Sequence, residues 1–159
     1  MTDESTGPSG LGGWLILVIL GLIVSPVRIA HLMATNYWPL FRDGLWAKLT
    51  TAGSAAYHPL WKPLLIFEVG GNLVCIALGL VTLVLLLMRS TRTPSWAISW
   101  YSWAAVFVLA DFFLADLIPY IAAHPDPESA KELARSLFAA GVWIPYFLVS
   151  KRVQATFVR

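Results

Sequence analysis

Glu68 is an acid in an apolar setting: about sixteen of the twenty-five residues from Leu64 to Met88 are Leu, Ile, Val or Phe. On insertion scales an acid at that depth costs roughly 2.5–3.5 kcal/mol, and each strongly apolar neighbour returns about 0.3–0.6 kcal/mol, so the segment inserts with its glutamate. A carboxyl group held there needs a counter-charge, a hydrogen-bond donor or a proton. It can therefore lock helices together, bind a polar ligand or pass a proton. Six more residues share its situation. Asn72 lies one helical turn further on, Arg28 and His31 close the first apolar run, Asp111 and Asp116 interrupt the third, and Arg135 leads into the fourth.

Other chemistry is not encoded. The chain has no HExxH, GxSxG or P-loop pattern, and its single cysteine, Cys75, sits in an apolar run where it reads as packing. His31, His58 and His124 are scattered near segment boundaries and read as interface residues rather than ligands. No metal or other cofactor is expected, and the protein reads as non-enzymatic. Nucleic acid is also set aside, because the net charge of +2 comes without a basic run interleaved with aromatics.

The elements that must position these groups are membrane helices. Of the 159 residues 58% are hydrophobic and only 13% charged, outside the range of soluble domains. Apolar runs predict spans at about 11–33, 63–88, 96–120 and 130–150 within one membrane domain, 1–159. The polar, acidic start lacks a basic n-region, so the first run reads as a retained helix and not a signal peptide. Ser9 and Gly10 open that run, and Pro26 should bend it. Gly21, Ser25 and Arg28 share one of its faces, which should point into the bundle. Segment 34–62 reads as an extramembrane loop, and Phe41, Leu45 and Leu49 at every fourth position suggest a short interfacial helix within it. Glu68, Asn72, Cys75 and Gly79 form a polar and small stripe that should face protein. Asp126, Pro127 and Glu128 predict the start of the last helix, and Pro145 a kink within it.

Short second and third connections make this an all-α, up-down-up-down four-helix bundle with both termini on one side. Residues late in spans one and three then match residues early in spans two and four. At about 1.5 Å per residue, Arg28 lies roughly 5–8 Å inside its boundary and Glu68 roughly 9 Å; Asp111 lies roughly 14 Å and Asp116 roughly 6 Å from Tyr120. These charges, with Asn72, His31 and Arg135, occupy the half of the membrane away from the termini. One reading is purely structural: Arg28 pairs with Glu68 or Asp111 and fixes the helix packing. The other is a wet pocket for a lipid or other amphiphile head group, or a dock for a partner helix. A transporter or proton relay using Glu68 and Asp111 is the alternative from another class, and it lacks ionisable groups toward the termini. Asp111 and Asp116 are about 140° apart around a helix, so Asp111 is the better pocket residue and Asp116 is expected to meet Arg135 or head groups. Membrane lipids are the expected partners, and homo-oligomers are compatible with the sequence.

The chain resembles a family of small bacterial inner-membrane proteins catalogued as domain of unknown function 2569. The resemblance rests on Gly12-Gly13-Trp14-Leu15, Ser25-Pro26 with Arg28, Tyr57-His58-Pro59, and Phe67-Glu68 with Asn72. It continues in Trp143-Ile144-Pro145-Tyr146-Phe147, Ser150-Lys151-Arg152-Val153 and Thr156-Phe157-Val158, nearly the whole chain. It implies four spans in the cytoplasmic membrane with cytoplasmic termini, and no activity. Lys and Arg outside the spans tie at five on each side. The tight clusters Arg89/Arg92 and Lys151/Arg152 favour the same orientation.

Overall fold

The structure, a computed structural model, describes residues 10–158. Ser9 and the acidic residues before it lie outside them, as does Arg159. Four long helices carry the fold: α1 (Trp14–Leu32), α4 (Trp61–Leu87), α5 (Thr93–Ala115) and α7 (Pro127–Val149). Each is long and apolar enough to cross a membrane. Short helices α2 (Trp38–Arg42), α3 (Leu45–Thr50), α6 (Pro119–Ala123) and α8 (Lys151–Thr156) link or follow them, and there is no strand among the described residues.

The first span is longer than the apolar run that announces it. A π-helical turn, Met33–Tyr37, joins α1 to α2, so a continuous helical rod of 29 residues reaches Arg42. Thr35 contributes by bonding its hydroxyl back to the carbonyls of His31 and Leu32. The expected interfacial helix is divided at Asp43 and Gly44, where Gly44 takes φ 72°. Phe41 and Trp46 stack across that corner, with ring centroids 5.1 Å apart. Segment 34–62 is thus largely helical up to Thr50 and not an open loop.

The third span ends five residues before the apolar run does. α5 stops at Ala115, and α6 restarts the helix at Pro119. Pro119 has no N–H to continue the ladder, and it holds Ile118 in an extended conformation. The last span begins as expected, with the Asp126 side chain accepting the Glu128 N–H at 3.0 Å. α1 and α7 run unbroken through Pro26 and Pro145. Between α4 and α5 the chain turns through Arg89 at φ 54°, with Ser90 N–H bonded to Leu85 and Arg89 N–H to Leu86. This is a Schellman ending in which arginine stands where glycine is usual.

Packing follows small residues. On α4, Gly71, Cys75 and Gly79 recur every fourth position, and α5 lays its aromatic rings against them. Trp103 Nε1 donates to Gly71 O at 3.2 Å and Trp100 Nε1 to Cys75 O at 3.1 Å, so the indoles bond to the α4 backbone that the small residues expose. Gly79 sits beneath both Trp100 and the buried Pro26 of α1. α1 packs on α4, α4 on α5, and α5 on α7. α1 and α7 complete the ring without packing closely along their length, and they are tied at both ends. At one end Arg28 pairs with Glu132. At the other, the Trp14 and Trp143 rings meet edge to face at 6.3 Å.

A further tie lies beyond Trp14. α8, opened by Ser150 capping Val153 N–H, turns back so that Thr156 Oγ1 accepts from Gly10 N–H at 3.0 Å and stands 3.3 Å from Gly10 O as donor. The Arg152 guanidinium lies over Gly12 and Gly13 so closely that a Cβ on Gly13 would stand 2.7 Å from it. Both ends of the described chain therefore meet on one side.

Candidate functional site

Among the described residues, two neighbouring cavities lie inside the ring of helices. The upper one, about 250 Å³, opens on the side away from the chain ends. Arg28 reaches it from α1, Tyr37 from the π-helical turn, Glu68 and Asn72 from α4, Asp111 and Asp116 from α5, and Glu132 from α7. At this size it has room for about eight waters. The sequence-predicted residues Arg28, Glu68, Asn72, Asp111 and Asp116 thus share one wall. His31 does not: it lies exposed on α1 and lines neither cavity. Arg135 lines the lower cavity, with Nη1 4.0 Å from Glu128 rather than against Asp116.

The pairing differs from the expectation for a physical reason. Arg28 bonds to Glu132 and not to Glu68 or Asp111. α1 and α7 stand apart, and the longest cation on one and a glutamate on the other can bridge the space. Glu68 is answered by Tyr37, whose hydroxyl donates to Oε2 at 2.9 Å. The π-helical turn brings that ring to the cavity from the segment that the sequence marks only as an extramembrane loop. Asn72 is spent locally, donating Nδ2–H to Glu68 O at 2.9 Å.

Asp111 has the least support. Its Oδ1 is sealed from solvent and has no hydrogen-bond partner among the described residues. A buried acceptor left so costs about 1–3 kcal/mol. Asp116 reaches the same cavity although five residues separate the two acids. It is the cap residue that ends α5 and keeps helical backbone angles, so the cavity itself extends around the end of that helix to meet both acids.

Four lining residues lie outside the expected site: Glu132, which reads as a charge carried through the interface, Tyr37 in the segment read as a loop, His124, read as an interface residue, and Asp126, read as a helix cap. His124 lines the upper cavity beside Asp126, its Nδ1 3.0 Å from Tyr120 O. Among the described residues the charge balance is consequently acidic: Glu68, Asp111, Asp116, Asp126 and Glu132 face one arginine, already paired, and the imidazole of His124. These acids are spread around the wall. No three His, Cys, Asp or Glu side chains among the described residues converge closely enough to hold a metal ion.

The lower cavity, about 330 Å³, lies in the gap between α1 and α7. Its floor is apolar or aromatic, with Leu17, Gly21, Cys75, Tyr101 and Trp143, and its rim carries Ser25, Arg135 and Ser136. The face shared by Gly21, Ser25 and Arg28 does point inward, but a Cβ on Gly21 would meet nothing within 4 Å. That glycine borders a space instead of a neighbouring helix. Arg28, Asn72, Phe107 and Glu132 line both cavities and form the partition between them.

Four apolar helices packed in an antiparallel ring, with charged side chains turned into it, define a multi-pass integral membrane protein. The chain belongs to the family described as Protein of unknown function (DUF2569), whose model matches residues 8–158. No curated protein and no solved structure matches it.

Proposed function

We propose that the protein is a non-enzymatic component of the bacterial cytoplasmic membrane whose upper cavity binds the head group of a lipid-like amphiphile. One observation carries this reading. Polar side chains from α1, α4, α5 and α7 surround an open cavity and outnumber the pairings they make. A bundle held by ion pairs alone needs one partner for each charge and no space between them. A proton relay would need carboxylates beyond Glu132, and the floor of the lower cavity, Leu17, Gly21 and Trp143, has none. Cytoplasmic termini are supported by Arg89. Its left-handed backbone would suit glycine, and a cation kept there beside Arg92 fits a loop that stays inside.

Native mass spectrometry of gently extracted protein tests the reading. The wild type should carry a bound small mass, reduced in Glu68→Gln and in Asp111→Asn, and an empty wild type would overturn it. A protein-sized adduct would reassign the cavity to a partner helix.

A further inference from the structure

Resting on that reading, we infer that the ligand is a single-chain amphiphile with an amine head, which enters sideways between α1 and α7 and lays its tail in the lower cavity. The head follows from charge. Among the described residues five acids line the upper cavity against Arg28, which is bound to Glu132, and the imidazole of His124. In a site of low dielectric an ammonium group gains from this field, and a carboxylate or phosphate is repelled by it. Asp111 lines that cavity from α5, opposite Glu132 of α7, so the acids stand on more than one side of the space.

The tail follows from the gap. α1 and α7 are tied by Arg28 with Glu132 near one end and by Trp14 with Trp143 at the other, and the lower cavity lies between the ties. From Arg28 to Leu17 along α1 is about 16 Å at 1.5 Å per residue, close to the roughly 15 Å of hydrocarbon in one leaflet. The polarity runs the right way for an amphiphile, from Arg28, Glu132 and Arg135 at the rim to Leu17, Tyr101 and Trp143 at the floor. Gly21 has open space where its side chain would be, so the gap at that level is unfilled. The Arg28–Glu132 pair is the latch. Its side chains are 51% and 38% exposed, so neither is locked by packing and both can swing aside and let a chain pass without moving a helix.

The energetics separate head from tail. Lipid is as apolar as the cleft, so moving the tail out of the bilayer gains only contacts that fill the void. Selectivity must then come from the head. Replacing the amine by a carboxylate should weaken binding by about tenfold or more, whereas shortening the chain by two carbons should change it little.

Photolabelling in nanodiscs tests this with three probes: an alkyl amine bearing a diazirine mid-chain, its carboxylate counterpart, and a short amine with the diazirine beside the nitrogen. The long amine should label Tyr101, Trp143 or their neighbours, and the carboxylate should label about tenfold less. Gly21→Phe, which fills the gap, should abolish tail labelling and leave labelling by the short amine unchanged. Glu68→Gln with Asp111→Asn should abolish both. Short-amine labelling of the upper cavity without tail labelling would overturn the lateral inference alone. Equal labelling by both long probes would overturn the amine assignment. Absence of labelling by every probe would remove the head-group reading as well.

Discussion

Gly70 and Gly71 are adjacent on α4, yet the same substitution at each should move stability in opposite directions. Gly70 faces outward, and a methyl there meets nothing within 4 Å. Alanine should stabilise by about 0.5–1 kcal/mol, the entropy that glycine forfeits in a helix. At Gly71 the same methyl would stand 2.0 Å from Phe107 Cε2 and 2.4 Å from Cδ2. Contact would require the ring to withdraw by more than an ångström. It is held against Phe67 with centroids 5.1 Å apart and parallel to Trp103 at 6.2 Å, while Trp103 is bonded to Gly71 O at 3.2 Å. Overpacking of this kind costs about 1–3 kcal/mol, which outweighs the helix gain and leaves Gly71→Ala destabilised by about 1–2 kcal/mol. Reversible unfolding in mixed micelles, followed by tryptophan fluorescence, should therefore separate the two variants by about 2–3 kcal/mol. In a Phe107→Ala background the penalty at Gly71 should vanish, which a double-mutant cycle would report. Gly71→Ala as stable as the wild type would refute the close packing of α5 on α4.

Three more substitutions follow from the geometry. Tyr37→Phe removes the donor to Glu68 Oε2 and should cost about 1.5–3 kcal/mol in the same unfolding assay; no loss would mean the carboxyl is satisfied otherwise. Gly13→Ala meets both φ 61° and the Arg152 guanidinium, and should cost about 1–2 kcal/mol while exposing the 12–14 segment to protease. Arg89→Gly should stabilise by up to about 1 kcal/mol, because it places glycine at the left-handed end of α4. The same change should raise the fraction of inverted molecules in a reporter-fusion assay if Arg89 helps to hold its loop inside.

The architecture was readable because bilayer thickness leaves few choices for apolar runs as long as 64–88, and helix ends such as Asp126 carry their own chemistry. Boundaries failed where hydropathy and hydrogen bonding diverge. Residues 116–120 are apolar enough to span, yet Pro119 ends the ladder, and residues 33–42 are too polar to be read as span, yet the backbone continues through them. The set of polar residues at one depth was legible from counting residues along antiparallel helices. Their partners were not, because pairing depends on which helices touch. Arg28 faces α7 across an unpacked gap, so its partner is Glu132 and not the acids of α4 or α5. Gly71 was passed over in favour of Asn72 and Gly79, since only the placement of Phe107 reveals why that glycine has no side chain.

The bond between Gly10 and Thr156 has a consequence for the order of assembly. Residue 156 leaves the ribosome only after all four helices have been synthesised, so residue 10 waits for its mate until the last span has been made. Fastening of this seam follows the last span, and a nascent polypeptide stalled before α8 would hold its first helix by packing on α4, the Arg28–Glu132 pair and the Trp14–Trp143 contact.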